Sequence, residues 1–305
     1  MKDTVFFKQA ELLLRILPLI YKEKVFALKG GTAINFFVRD LPRLSVDIDL
    51  TYLPVNDRDF ALNEIRSILL LLSEGIKRRI PGAGVIPKRI HGTEFIRGLI
   101  VDREGVTVKI EPNLVLRGSV YPPEIKSLTK KAQDLFELSL QSRTLSSYDL
   151  YGGKICAALD RQHPRDLFDV HLLLKNEGLK LEIRKAFIVY LVSHPRPLVE
   201  ILSPQQKDIR DIFEKEFKEM ITENVTYEAL ETTRRELVAT LREELTSNER
   251  RFIISMKQGK PVWDLIELEG FKDLPAVKWK LLNILKMDPT KHRIAVNKLR
   301  DYLGV

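Results

Sequence analysis

Lys29-Gly30-Gly31-Thr32 and, after a helix-length gap, Arg43-Leu44-Ser45-Val46-Asp47-Ile48-Asp49 are the two stretches whose reading decides the fold. From Leu44 to Tyr52 apolar and polar residues alternate, and a period of two marks a strand with one face on a core. Asp47 and Asp49 then point to one side, Ile48 and Leu50 to the other. Two carboxylates aimed at one point repel unless a cation lies between them. A hard divalent ion such as Mg²⁺ takes such oxygens and completes its shell with water and substrate phosphate. Paired glycines ahead of a helix allow close approach to the backbone, and the helix start with the Thr32 hydroxyl offers donors to phosphate oxygens. Gly30, Gly31 and Thr32 are therefore the candidate triphosphate turn, with Ser45 a further nucleotide contact. Each half alone is ordinary, since an Asp-x-Asp is usually solvated surface and Gly-Gly usually a turn. The combination on an apolar-backed strand carries the nucleotide reading.

Outward from this motif, residues 3–23 place Phe6, Phe7, Ala10, Leu13, Leu14, Leu17 and Ile20 at helical spacing, and Lys24 to Lys29 is a short apolar run. Thr32 to Val38 is helix-compatible up to the Asp40-Leu41-Pro42 break. Phe60 to Ile80 returns to helical period, Pro81 to Gly84 is a loop, and Thr93 to Ile100 with Gly105 to Leu116 reads as a strand pair around a turn at Asp102 to Gly105. Val106, Val108 and Ile110 share one face of the second strand; Thr107, Lys109 and Glu111 share the other. Glu111 is the candidate third carboxylate of a two-metal site, with Lys109 positioned to reach the same pocket. The competing reading of Glu111 is a cross-strand ion pair worth little.

A second dense stretch runs from Asp149 to Asp169. Leu150 to Leu159 and Asp166 to Leu174 read as helices, and Lys154 sits inside an otherwise apolar one, where an ammonium needs a partner. Asp166 and Asp169 share a face at the start of the next helix. They suit either a catalytic cluster with Lys154 or plain helix capping plus a salt bridge. Beyond residue 176 the patterning is almost wholly helical, with breaks at Ser193 to Pro197 and Ser203-Pro204 and a long charged amphipathic stretch from Ile209 to Leu245. The expected division is an α/β region, 1–175, followed by a helical region, 176–305.

The chain has 305 residues, 44% of them hydrophobic, and a net charge of +8, enough apolar material for a buried core and a surface that favours polyanions. No apolar run approaches the length of a membrane span and no signal-peptide block opens the chain, so a cytoplasmic protein with no membrane partner is expected. Cys156 is the only cysteine and lies in an apolar helix, which excludes an internal disulfide. The histidines show no metal-ligand spacing. Trp279 and Trp263 could stack on bases or anchor a core, and the basic stretches Lys77-Arg78-Arg79, Lys88-Arg89 and Lys126 to Lys131 could be solvated faces or RNA contacts.

Taken in order, Lys29-Gly30-Gly31-Thr32-Ala33-Ile34-Asn35, Arg43-Leu44-Ser45-Val46-Asp47-Ile48-Asp49-Leu50, Lys154 with Asp160-Arg161, and Pro164-Arg165-Asp166-Leu167-Phe168-Asp169 resemble the AbiEii/AbiGii (MenT-like) family of nucleotidyltransferase toxins over about residues 25–175. The resemblance implies a minimal polymerase-β-type nucleotidyltransferase core with a mixed sheet and a helical C-terminal region, acting as the toxin of a type IV toxin–antitoxin or abortive-infection pair. It makes Gly31 and Thr32 the triphosphate turn, Asp47 and Asp49 the metal ligands, Lys154 the essential lysine and Asp166 or Asp169 the downstream essential aspartate. Glu111 transfers less sharply. Thr32 stands where the commonest form has serine, and the gap from Thr32 to Asp47 is longer than in compact polymerase-β-type enzymes. The implied activity is Mg²⁺-dependent transfer from an NTP to an RNA acceptor, the tRNA 3′ end for the MenT type, with a separately encoded antitoxin as partner. A catalytically silent nucleotide-binding module and an enzyme acting on protein hydroxyls remain open beside it.

Overall fold

A computed structural model describes residues 4–305. By packing the chain divides into two compact units, the residues up to Leu150 together with Lys215–Asn224, and Tyr151–Glu214 together with Val225–Val305.

The first unit comprises α1 (Val5–Tyr21), β1 (Phe26–Lys29), α2 (Gly30–Ala33) continuing as a π-helical turn Ile34–Val38, β2 (Asp47–Tyr52), α3 (Arg58–Arg79), β3 (Gly84–Arg89), β4 (Ile96–Arg103), β5 (Val106–Asn113), β6 (Glu124–Ser127), α4 (Lys130–Phe136) and β7 (Gln141–Thr144). The seven strands form one mixed sheet in the order β3-β4-β5-β2-β1-β7-β6. β2 runs parallel to β5 and β1 parallel to β7, while the remaining neighbours are antiparallel.

The alternation in β2 sets which way the sheet faces. Ile48, Leu50 and Tyr52 are fully buried, and Ile48 and Leu50 stand opposite Ile110 and Pro112 of β5. Burying each such side chain contributes about 2 kcal/mol relative to exposure. The Tyr52 hydroxyl donates to Glu64 of α3, which places α3 on this apolar face. Asp47 and Asp49 lie on the other face.

The second unit is built from helices. α5 (Ser147–Asp160) contains the boundary between the units and is followed by α6 (Pro164–Asn176), α7 (Leu181–Val192), α8 (Leu198–Leu202), α9 (Arg210–Ile212), α10 (Tyr227–Glu244), α11 (Ser247–Lys257), α12 (Pro275–Leu285) and α13 (Pro289–Leu303). The mixed sheet and helical C-terminal region are the expected fold class. Among the described residues no helix is long and apolar enough to cross a membrane.

Two departures from the sequence patterning have physical causes. β3, β6 and β7 were not legible: β3 carries Pro87, and β6 (Glu-Ile-Lys-Ser) and β7 (Gln-Ser-Arg-Thr) are only four residues long and mostly polar, too short to show a period. The long amphipathic stretch expected from Ile209 to Leu245 is not one helix. After α9 it passes through a π-helical turn, Phe213–Phe217, and leaves helical geometry until α10. The interruption pairs with the loop ahead of β2: Leu44 N–H donates to the Met220 carbonyl (2.7 Å), Thr222 N–H to the Pro42 carbonyl (2.9 Å), and Arg43 bridges Ile221. Tertiary hydrogen bonds there outweigh the local helical pattern, whose propensity differences among ordinary residues are at most ~0.7 kcal/mol each.

Candidate active site

The glycine turn and the aspartate strand meet directly. Lys29, the last residue of β1, stands opposite Asp49 of β2, so the turn that follows β1 lies beside the acidic face. Gly30 has φ +71°, and a Cβ added to it would lie 2.5 Å from Asp49 Oδ2. A side chain at Gly30 is thus excluded twice, by backbone conformation and by the carboxylate packed against it. A Cβ on Gly31 would come within 2.5 Å of the Arg43 guanidinium and 3.1 Å of Ser45 Oγ. Both glycines make room for side chains that converge on the turn.

Thr32 ties the two halves together. Its Oγ1 donates to the Asp47 carbonyl at 2.6 Å and shares a hydrogen bond with the Ser45 hydroxyl at 2.9 Å. Thr32 and Ser45 are both buried, so the hydroxyl that the sequence offers to phosphate is given instead to the backbone of the aspartate strand. Asn35 Nδ2 donates to the Gly31 carbonyl (2.9 Å), and three residues beyond the π-helical turn Ile34–Val38 comes Leu41, whose φ of +55° is rare for a branched residue. Leu41 is held there by full burial and by N–H bonds to the Arg39 and Asn35 carbonyls. π-turns and strained residues of this kind concentrate where side chains must be aimed.

β5 brings the third carboxylate alongside. Asp47 stands opposite Lys109 and Asp49 opposite Glu111, so these four side chains share one face. The Glu111 carboxylate is 42% exposed and forms a cross-strand ion pair with Lys88 of β3 at 3.4 Å. Among the described residues no three acidic, histidine or cysteine side chains are arranged to hold a metal ion. Asp47 and Asp49 still suit Mg²⁺: both are hard oxygen donors on one strand face, and this ion is commonly held by one or two carboxylates with water and phosphate filling the rest.

In the second unit, Lys154 of α5 lies between Asp166 and Asp169 of α6, with Nζ 2.8 Å from Asp166 Oδ1 and 3.0 Å from Asp169 Oδ2. All three are buried. Arg161 approaches the other oxygen of Asp166 at 2.7 Å. Burial by itself lifts the Asp166 carboxyl; the Lys154 ammonium, then Arg161, outweigh it and hold the group at about 2, below its ordinary 3.8. Asp166 lies in the first turn of α6 behind Pro164, where the helix dipole also favours negative charge. Cys156, on the same helix as Lys154, is buried, and desolvation followed by the Asp160 charge pushes its thiol well up, so it is an inert packing residue.

Sequence reasoning missed three participants. Arg43 is only 1% exposed and packs on Gly31, a role hinted at only by an arginine in an otherwise apolar run. Lys88 and Gly98 shape the surroundings of Glu111, and the one available signal was an isolated glycine inside a strand pattern, which marks a close approach.

The family described as "Nucleotidyl transferase AbiEii toxin, Type IV TA system" matches residues 11–250. No curated protein sequence matches the chain. Among solved structures the chain is similar to MenT4, a nucleotidyltransferase toxin from Mycobacterium tuberculosis H37Rv, with a TM-score of 0.60 and 16% sequence identity over 98% of this chain and 95% of that one. At that identity the likeness speaks for the fold.

Proposed function

The chain belongs to the AbiEii family of nucleotidyltransferase toxins of type IV toxin–antitoxin systems, and from that premise we propose that it transfers a nucleotide from an NTP to an RNA acceptor, a tRNA 3′ end being the first choice, in the cytoplasm and under the control of a separately encoded antitoxin. The observation that carries the proposal is the packing of Asp49 against Gly30, with Asp47 and Asp49 on one face of β2. It puts two carboxylates beside a turn whose backbone can approach phosphate.

Mg²⁺ held by Asp47 and Asp49 would screen the triphosphate and lower the pKa of the attacking hydroxyl. The protein's own residues do the rest. Asp47 and Asp49 extend from a strand whose apolar side is locked in the core, which holds the strand face they share in place before any ligand binds. Thr32 and Ser45 fix the Asp47 backbone. Gly30 and Gly31, bare of side chains themselves, let Asp49, Arg43 and Ser45 close on the turn, and Lys109, exposed and opposite Asp47, offers a cation to a phosphate oxygen. The net charge of +8 favours a polyanionic acceptor. Lys154, Asp166 and Asp169 enter as a positioning cluster that orders α5 against α6 around a neutralised core.

Incubation of the purified protein with labelled NTPs, Mg²⁺ and total RNA tests the proposal. Label in RNA that is lost in Asp47→Asn supports it. Label in protein would redirect the reaction to protein hydroxyls, and NTP binding without transfer would leave a silent nucleotide-binding module.

A further inference from the structure

The acidic face carries a row of residues across five strands. Lys88 of β3 stands opposite Gly98 of β4, Glu111 of β5 opposite Asp49 of β2, and Asp49 opposite Lys29 of β1. Gly98 joins the two parts of the row: a Cβ there would lie 2.4 Å from the Ile110 carbonyl and 3.3 Å from Glu111 Cγ. The position between Lys88 and Glu111 therefore holds no side chain, and the lysine stem spans it to put Nζ 3.4 Å from Glu111 Oε1. The register shift at Lys88/Arg89 bends the edge strand at this residue, as bulges do where a side chain is re-aimed. The Lys88 side chain is only 22% exposed, much less than a lysine on an open sheet edge.

We propose that Lys88 is a positioning residue of the acidic face: it holds the Glu111 carboxylate while no divalent cation is bound, and the two cations compete for that carboxylate. The inference rests on the reading of Asp47 and Asp49 as cation ligands. Glu111 and Asp49 sit on adjacent strands, about 5 Å apart along the hydrogen-bond direction, so one cation can draw on both carboxylates once Glu111 leaves Lys88. Competition for a shared carboxylate is a linkage, and it makes each cation weaken the binding of the other.

A binding titration with Mn²⁺, read by the loss of the free-ion electron paramagnetic resonance signal and involving no turnover, tests this in the full chain. The set is wild type, Lys88→Met, Glu111→Gln and the double variant, each checked for an unchanged melting temperature. Lys88→Met should tighten Mn²⁺ binding about two- to fivefold, the range for a partly exposed ion pair, and Glu111→Gln should weaken it. In the Glu111→Gln background, Lys88→Met should have no further effect. An unchanged affinity in Lys88→Met overturns the proposal. So does an equal tightening in the Glu111→Gln background, which would make Lys88 a diffuse charge acting independently of Glu111. Absence of Mn²⁺ binding by the wild type removes the cation site itself, and this proposal with it.

Discussion

At the scale of single residues, the decisive groups are carboxylates, and their surroundings give them different duties. Asp47 and Asp49 are half-buried on a strand face, where replacement by the isosteric amide leaves packing intact. Asp47→Asn or Asp49→Asn should cost about 1 kcal/mol of stability or less while lowering nucleotide transfer by on the order of 10²–10³-fold. Thermal melts and single-turnover assays on the same preparations check both halves, and full transfer by either variant would remove the metal assignment. Asp166 is the opposite case, a buried acid fixed by Lys154 and Arg161. Its carboxyl titrates at about 2 in the folded chain against 3.8 ordinarily, so the folded state favours the ionised form. The resulting stabilisation is complete above pH ~4, amounts to about 2 kcal/mol, and is lost as pH falls from 4 to 2. Denaturant melts across that range should show this loss in the wild type and a flatter profile in Asp166→Asn. The variant should itself be about 3 kcal/mol less stable, because the buried ammonium of Lys154 loses one of its two carboxylates.

At the scale of elements, close approaches decide what each helix tolerates. A Cβ on Gly152 of α5 would lie 2.7 Å from the Phe187 backbone nitrogen and 2.8 Å from Ala186 Cβ, whereas one on Gly153 would sit 3.6 Å from the Tyr190 ring. Gly152→Ala must push α5 off α7 and should cost about 1–3 kcal/mol. Gly153→Ala, in ordinary contact, should be neutral or gain up to about 1 kcal/mol from helix propensity. Urea melts of the pair check the contrast, and equal effects would show that α5 and α7 do not pack as described. The same distinction explains what the sequence could reveal. The alternation of β2 was legible because one face is wholly buried, and with it the shared face of Asp47 and Asp49. The facing of Asp166 and Asp169 was legible because three residues of helix fix it. The packing of Asp49 on Gly30, of Arg43 on Gly31 and of Lys88 across Gly98 was not, since each joins residues distant in the chain through a register that no local pattern encodes. β6 and β7 were hidden for a simpler reason, being short, polar and held by neighbours.

At the scale of the whole molecule, chain order and packing part company. The patterning divides the chain at residue 175, a cut that keeps Lys154, Asp166 and Asp169 with the aspartate strand, while compactness divides it after Leu150 and returns Lys215–Asn224 to the first unit. That returning segment satisfies the loop leading into β2: the Leu41 carbonyl accepts from Thr222 Oγ1 (2.7 Å), the Pro42 carbonyl from Thr222 N–H, and Leu44 N–H finds the Met220 carbonyl. Leu41 and Leu44 are fully buried, and a buried backbone group left without a partner costs about 1–3 kcal/mol. Residues 1–175 expressed alone would lose all three bonds next to Asp47, a deficit comparable with the total stability of many domains. That fragment should therefore lack native exchange protection at the Leu44 amide. In the full chain, Thr222→Val keeps the two backbone bonds, removes the hydroxyl's donation to the Leu41 carbonyl and its acceptance from Lys131 Nζ (3.2 Å), and should cost about 1 kcal/mol, with hydrogen exchange at Leu44 rising in step. A fragment that folds with native protection at Leu44 would make the returning segment dispensable and restore the linear boundary at residue 175.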